Sequence, residues 1–162
     1  MRAGRVLDPV LAPLGMTTKR YMLFGRQYRG EIAGREVEVY FVPSRANWPA
    51  QLDIYVEADI GTRVAIGRQR PLLDCRHCAR LEVVGAEMEA LQVYAQDAER
   101  ATRLLSDAAN SAAIARLLDD QEAYGLREVY LQPERVWLRA HPRRMEGKRF
   151  RQWLDAVLVL AR

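Results

Sequence analysis

Cysteine, histidine and lysine are nearly missing from this sequence of 162 residues, with two of each. The two cysteines stand three positions apart, so no disulfide framework ties distant parts of the chain together, as one would in a small secreted domain. Long apolar runs are missing too. The longest is Ala156 to Ala161, far short of the roughly 20 residues a membrane-spanning helix needs. The opening "MRAGRVLDPVLAPLGM" starts basic, but Asp8, Pro9 and Pro13 interrupt any signal-peptide core. These absences predict a cytoplasmic protein with no membrane partner. Also missing are a G-x-S-x-G elbow, an H-E-x-x-H pair and either phosphate-loop spacing; "GRQYRG" and "AIGRQRP" read as turns.

What is present fits one domain over residues 1–162. The sequence is 49% hydrophobic, enough to build a core without a disulfide or a metal. After an N-terminal segment (1–20) with a short helix near Arg5–Leu14, "YRGEIAGREVEVYFVPS" alternates apolar and polar residues. Val37, Val39 and Phe41 oppose Glu36, Glu38 and Tyr40, and Ala33-Gly34 occupies the turn of a hairpin with strands Tyr21–Ile32 and Arg35–Val42. "QLDIYVEADIG" alternates again, predicting a strand with one face in water. Short strands are expected at "RLEVV" and "LQVYA". Asp97 is an N-cap, and Ser106 or Asp107 can cap the second helix of a helical pair running to Gly125. "LREVYLQPERVWLRA" reads as a second hairpin turning at Pro133, and Phe150, Trp153, Leu154, Val157 and Leu158 form the apolar stripe of a terminal helix. Such an order predicts an α+β fold, an antiparallel sheet of hairpins with the helical pair and the C-terminal amphipathic helix on one face.

The hairpin "YRGEIAGREVEVYF", the capped "DAERATRLLSD" helix and the closing "WLDAVLVLA" helix resemble a loose group of uncharacterised prokaryotic domains that open with a G-x-Y-x-G-R-x-V-x-V hairpin. That resemblance implies an α+β domain and carries no activity. Cys75 and Cys78 lie outside its pattern.

Three constellations are candidates for function. In "DCRHCARLE", Cys75 and Cys78 have the spacing that lets two thiolates grip one edge of a zinc ion, with His77 or the distant His141 as further ligands. The same pair can be redox-active, or an ordinary connector; a second C-x₂-C is missing. Asp53, Glu57 and Asp59 share one side of a strand, where carboxylates can bind a hard cation or simply face water. The segment from Glu134 to Arg151 holds seven basic and two acidic side chains. Against a net charge of +4, that leaves the rest of the chain slightly acidic. Its Arg139, Arg143, Arg144, Lys148 and Arg149 are candidates for an anion or nucleic-acid contact. A helix-turn-helix is excluded, because Asp119, Asp120 and Glu122 would repel a phosphate backbone.

The sequence therefore points to a binding or interaction domain acting through charged surfaces, with no cofactor and with a protein partner or self-association. Two alternatives stay open: a zinc-binding protein or metal-dependent enzyme built on Cys75 and Cys78, and an anion or nucleic-acid binder built on the basic segment.

Overall fold

A computed structural model describes residues 3–72, 75, 77–82, 85 and 88–162. Helix α1 (Ala3–Leu11) runs into a 3-10 turn (Ala12–Leu14), where Pro13 can no longer continue an α-helix. Strands β1 (Thr17–Tyr21), β2 (Gly25–Ile32), β3 (Arg35–Val42) and β4 (Gln51–Glu57) follow as a meander. Then come β5 (Val64–Gly67), β6 (Ala79–Leu81) and β7 (Gln92–Ala95), helices α2 (Ala98–Ser106), α3 (Ala108–Leu118) and the one-turn α4 (Gln121–Tyr124), the hairpin β8 (Arg127–Gln132) and β9 (Arg135–Ala140), and finally α5 (Gly147–Leu160). Among the described residues the nine strands form one sheet in the order β1-β2-β3-β4-β9-β8-β5-β7-β6, antiparallel throughout. The fold is α+β.

Alternation sets the two faces. Val37, Val39, Phe41, Leu52, Ile54, Val56, Val129, Val136 and Leu138 are fully buried under the helices. Helix α5 seats Phe150, Trp153, Leu154 and Val157 against them, each such side chain contributing about 1.5–3 kcal/mol. At the β2–β3 turn Ala33 and Gly34 both take left-handed φ, 52° and 76°, the geometry a two-residue hairpin loop requires. Aspartates start the helices: Asp97 accepts from the Arg100 N–H at 2.9 Å, and Asp107 from those of Ala109 and Asn110 at 3.0 Å.

Three expectations need correction. The stretch expected as one strand from Tyr21 is two, because Met22 takes a left-handed φ of 54° and folds 22–24 into a turn, leaving β1 as a separate edge strand. The helix expected from Ala108 to Gly125 breaks at Asp119 and Asp120. Asp120 adopts φ 42° and recaps α4 through the Ala123 N–H. The strand expected at "RLEVV" is the three-residue β6; Val83 and Val84 lie outside the described residues.

One buried cation locks the helices to the sheet. Arg127 alternates with Val129 and Leu131, so it points into the core face and is fully buried. Its guanidinium donates to the Leu117 carbonyl at 2.6 Å and the Gly125 carbonyl at 2.9 Å, lies 5.0 Å over the Trp153 ring, and stands 3.7 Å from the Asp119 carboxylate. Arg68 donates to the adjacent Leu118 carbonyl at 2.7 Å. Together they satisfy the orphan carbonyls at the C-terminus of α3, where the helix dipole favours positive charge. Burial pulls the Arg127 guanidinium down to about 10, with Asp119 opposing, so it stays charged at neutral pH. Arg127→Met should cost roughly 2–4 kcal/mol, since it strands the buried Leu117 and Gly125 carbonyls. Urea denaturation of the variant against the parent checks this.

Candidate functional site

The opposite face of the sheet carries a row of aromatic rings. Cross-strand pairing lines up Glu38, Tyr55, Trp137, Tyr130, Ala65 and Tyr94, and beside them Tyr40, Asp53, Arg139 and Glu128. Ring centroids follow one another across the strands: Tyr21 to Tyr40 at 4.9 Å, Tyr40 to Tyr55 at 5.8 Å, Tyr55 to Trp137 at 5.2 Å and Trp137 to Tyr130 at 4.9 Å. Arg135 lies 4.8 Å over Tyr55, and Arg139 lies 4.6 Å over Trp137. Each guanidinium is held by the ring quadrupole while its edge keeps free donors.

Within this row sits a buried carboxylate. Asp53 was expected on a face turned to water. It does point to that side, but its neighbours leave it only 6% exposed. One oxygen accepts from Trp137 Nε1 at 2.9 Å and Arg139 Nε at 3.1 Å, the other from Gln51 Nε2 at 2.6 Å. Glu128, also buried, accepts from Tyr130 Oη at 2.6 Å and from the Leu72 N–H at 2.9 Å, which holds the loop after β5 onto this face. Burial first, then a hydrogen bond to Glu38, pushes the Tyr40 phenol up to about 12; burial first, then the Asp53 charge, does the same to Tyr55. Both phenols stay neutral donors at any physiological pH.

Toward the β2–β3 turn the row opens into a trough of about 1230 Å³. Its walls carry five carboxylates (Glu36, Glu38, Glu57, Asp59, Glu134) and four guanidinium groups (Arg29, Arg35, Arg63, Arg135) around Tyr55. Glu57 and Asp59 thus belong to this trough, while Asp53 lies in the aromatic row beside it and is tied up internally.

The cysteine stretch folds back onto the same face. A turn closed by the Cys78 N–H on the Cys75 carbonyl (2.9 Å) brings the two sulfurs into bonding contact, with Cα atoms 5.3 Å apart, a separation a disulfide tolerates. His77 is exposed, at a left-handed φ of 63°. Cys75 packs against the Tyr130–Trp137 cluster and, with Arg70, Leu72 and Tyr94, lines a smaller pocket of about 590 Å³. Among the described residues no three His, Cys, Asp or Glu side chains converge as a metal site would require.

The basic segment does not come together as one surface. Arg139 bonds Asp53 on the aromatic face. Arg149 turns to the helix side, 3.0 Å from Asp119 and 4.4 Å over the Tyr124 ring. Arg143 and Arg144 are exposed in the loop after β9; Arg143 donates to the Glu122 carbonyl at 3.3 Å, and Arg144 pairs with Glu146 at 2.6 Å. Lys148 is exposed at the start of α5. The aromatic row was missed from the sequence, although the residues that build it, Tyr40, Tyr55, Tyr130 and Trp137, stand at the polar-side positions of their strands.

No family model and no curated protein matches the chain. Among solved structures, the chain is similar to the crystal structure of the mycobacterial trehalose monomycolate transport factor A, TtfA, with a TM-score of 0.70. The likeness covers 99% of this chain and 94% of that one at 12% sequence identity. At that identity it establishes a shared fold.

Two outcomes follow from the row. Asp53→Ala should cost about 1–3 kcal/mol, because the buried Trp137 N–H loses its acceptor, and should alter the near-ultraviolet circular dichroism of Trp137. Alkaline titration tests the phenols. Raised folded values for Tyr40 and Tyr55 mean that the unfolded chain deprotonates first, so their stabilisation is whole below the ordinary value near 10 and is lost as pH climbs to about 12. Phenolate absorbance should show this late ionisation, and Tyr40→Phe should remove one late-titrating phenol.

Proposed function

We propose that this chain is a non-catalytic binding domain, that its working surface is the helix-free face of the sheet, and that its partner is a protein. The observation that carries the reading is the trough around Tyr55, walled by carboxylates and guanidinium groups in near balance beside a row of packed rings. A polyanion such as nucleic acid would meet as much repulsion as attraction there. A protein surface, with its own mix of signs, Tyr-rich apolar contact and hydrogen-bonding groups, is complementary to such a wall. The groups a reaction would draw on are engaged otherwise: Asp53 and Glu128 accept internal hydrogen bonds, and Tyr40 and Tyr55 hold their protons. The solved neighbour of the same fold is named as a transport factor, and a role in transport exercised through binding is consistent with this reading.

A second copy of the chain is the partner to test first, because the trough offers both signs to itself. Light scattering across a salt series should report an average mass that falls as ionic strength rises. Arg135→Glu should weaken association by about tenfold or more, and adding Glu57→Arg to it should restore much of the loss. A monomer at every ionic strength removes self-association; an assembly indifferent to Arg135 and Glu57 removes this face as its contact.

A further inference from the structure

At one end of the sheet, large apolar side chains point into water. Met22, Leu23, Phe24 and Trp48 are between 61% and 78% exposed. They come from two loops that strand register places side by side: the 22–24 turn closes the Tyr21–Gly25 pair, and the loop 43–50 follows Val42, whose neighbour Phe41 pairs with Arg26. The two loops are in contact, since the Arg45 guanidinium lies 3.4 Å from the Phe24 ring centroid. Neither tip is slack. Arg45 and Trp48 exchange backbone hydrogen bonds at 2.9 and 2.6 Å, and Arg20 grips the Leu23 carbonyl at 2.8 Å. The apolar groups are therefore held outward by their backbones.

The charge in the segments that carry them has one sign. Residues 15–30 and 43–52 contain Lys19, Arg20, Arg26, Arg29 and Arg45 and no aspartate or glutamate. Arg26 and Arg29 are spent on Asp8 and on Glu36 and Glu38. Lys19, Arg20 and Arg45 flank the apolar tip, and the loop after β9 adds the exposed Arg143 at the same end of the sheet, while its neighbour Arg144 is spent on Glu146. Protruding Trp, Phe, Leu and Met side chains ringed by cations suit a bilayer surface better than a folded partner. Loop tips sink into the fluid headgroup region without needing a shaped pocket, Trp favours that zone, and anionic lipid attracts the basic ring.

We infer that the 22–24 and 43–50 loops form a peripheral docking tip for anionic lipid membranes. No helix among the described residues is long and apolar enough to cross a membrane, so this is contact with a surface and not a span. The inference is independent of the aromatic face, which lies on different residues.

The test uses the purified chain and unilamellar vesicles of phosphatidylcholine, with or without about a third phosphatidylglycerol. Trp48 reports the contact, because Trp137 and Trp153 are 7% and 0% exposed while Trp48 is 78%. The anionic vesicles should shift tryptophan emission to the blue and co-sediment the protein at least about tenfold more strongly than neutral ones, an advantage that added salt erodes. Phe24→Ser with Leu23→Ser, read by the same Trp48 signal, and Lys19→Glu with Arg45→Glu should each lower partitioning by about tenfold or more. All four positions are on exposed loops or an edge strand, and unchanged circular dichroism confirms the fold of each variant. Equal binding to both vesicles, no binding to either, or binding unmoved by the variants overturns the inference. So does a dimer in lipid-free solution that the Leu23 and Phe24 substitutions dissociate, since the tip would then be a protein contact.

Discussion

The pairing of β4 with β9 is the seam on which this molecule depends. It joins the N-terminal meander to the strands and helices of the second half across more than 80 residues of sequence, with Asp53 opposite Arg139 and Tyr55 opposite Trp137. Below the seam, Ile54, Val56, Val136 and Leu138 are fully buried and support α5. Above it, Asp53 fixes both Trp137 and Arg139, and so fixes the centre of the aromatic row. A slip of one residue in this register would turn Ile54 and Val56 outward and Asp53 and Tyr55 into the core. The buried carboxylate is costly unless its donors are all in place, which makes it a register pin as much as a bond.

Much of the fold is written locally. The alternation through Val37, Val39 and Phe41, the Ala33-Gly34 turn, the Asp97 and Asp107 caps and the stripe from Phe150 to Val157 each reflect residues within a few positions of one another. What fails to show locally is what depends on non-local neighbours or on unusual backbone. Asp53 reads as a solvated strand residue until Trp137 and Arg139 are laid beside it. Met22 has no turn chemistry of its own, so the separate β1 strand leaves no mark in the sequence. Arg127 did leave one: its place two before Val129 and four before Leu131 puts it on the apolar side, where a charged residue has to find buried partners.

The candidate site divides the same way. Glu57 and Asp59 were visible as carboxylates on a polar side, yet the trough they line exists only because Arg63, Arg135 and the 132–134 turn close around it. The seven cations between Arg135 and Arg151 were visible as a cluster along the chain. In space, strand, loop and helix carry them to different sides, and most meet an acid or a ring. Closeness in sequence is a good guide to charge density only where the chain does not change direction, and "RVWLRAHPRRMEGKRF" changes it twice.

How the sheet ends constrains how the domain can bind. Among the described residues the open sheet has nine strands, a form that invites edge-on addition of another strand, and both of its edges are blunted. Strand β1 is an exposed "TTKRY", with Lys19 and Arg20 at its centre, and β6 is three residues long with Arg80 in the middle. Charged, short edges resist pairing with a further chain. Backbone addition being disfavoured, recognition falls to side chains, either those of the aromatic face or those of the loop tips at the strand ends. These two surfaces are set at an angle, one along the sheet and one at its rim. On the two readings proposed above, contact at the loop tips would leave the aromatic face open to a protein.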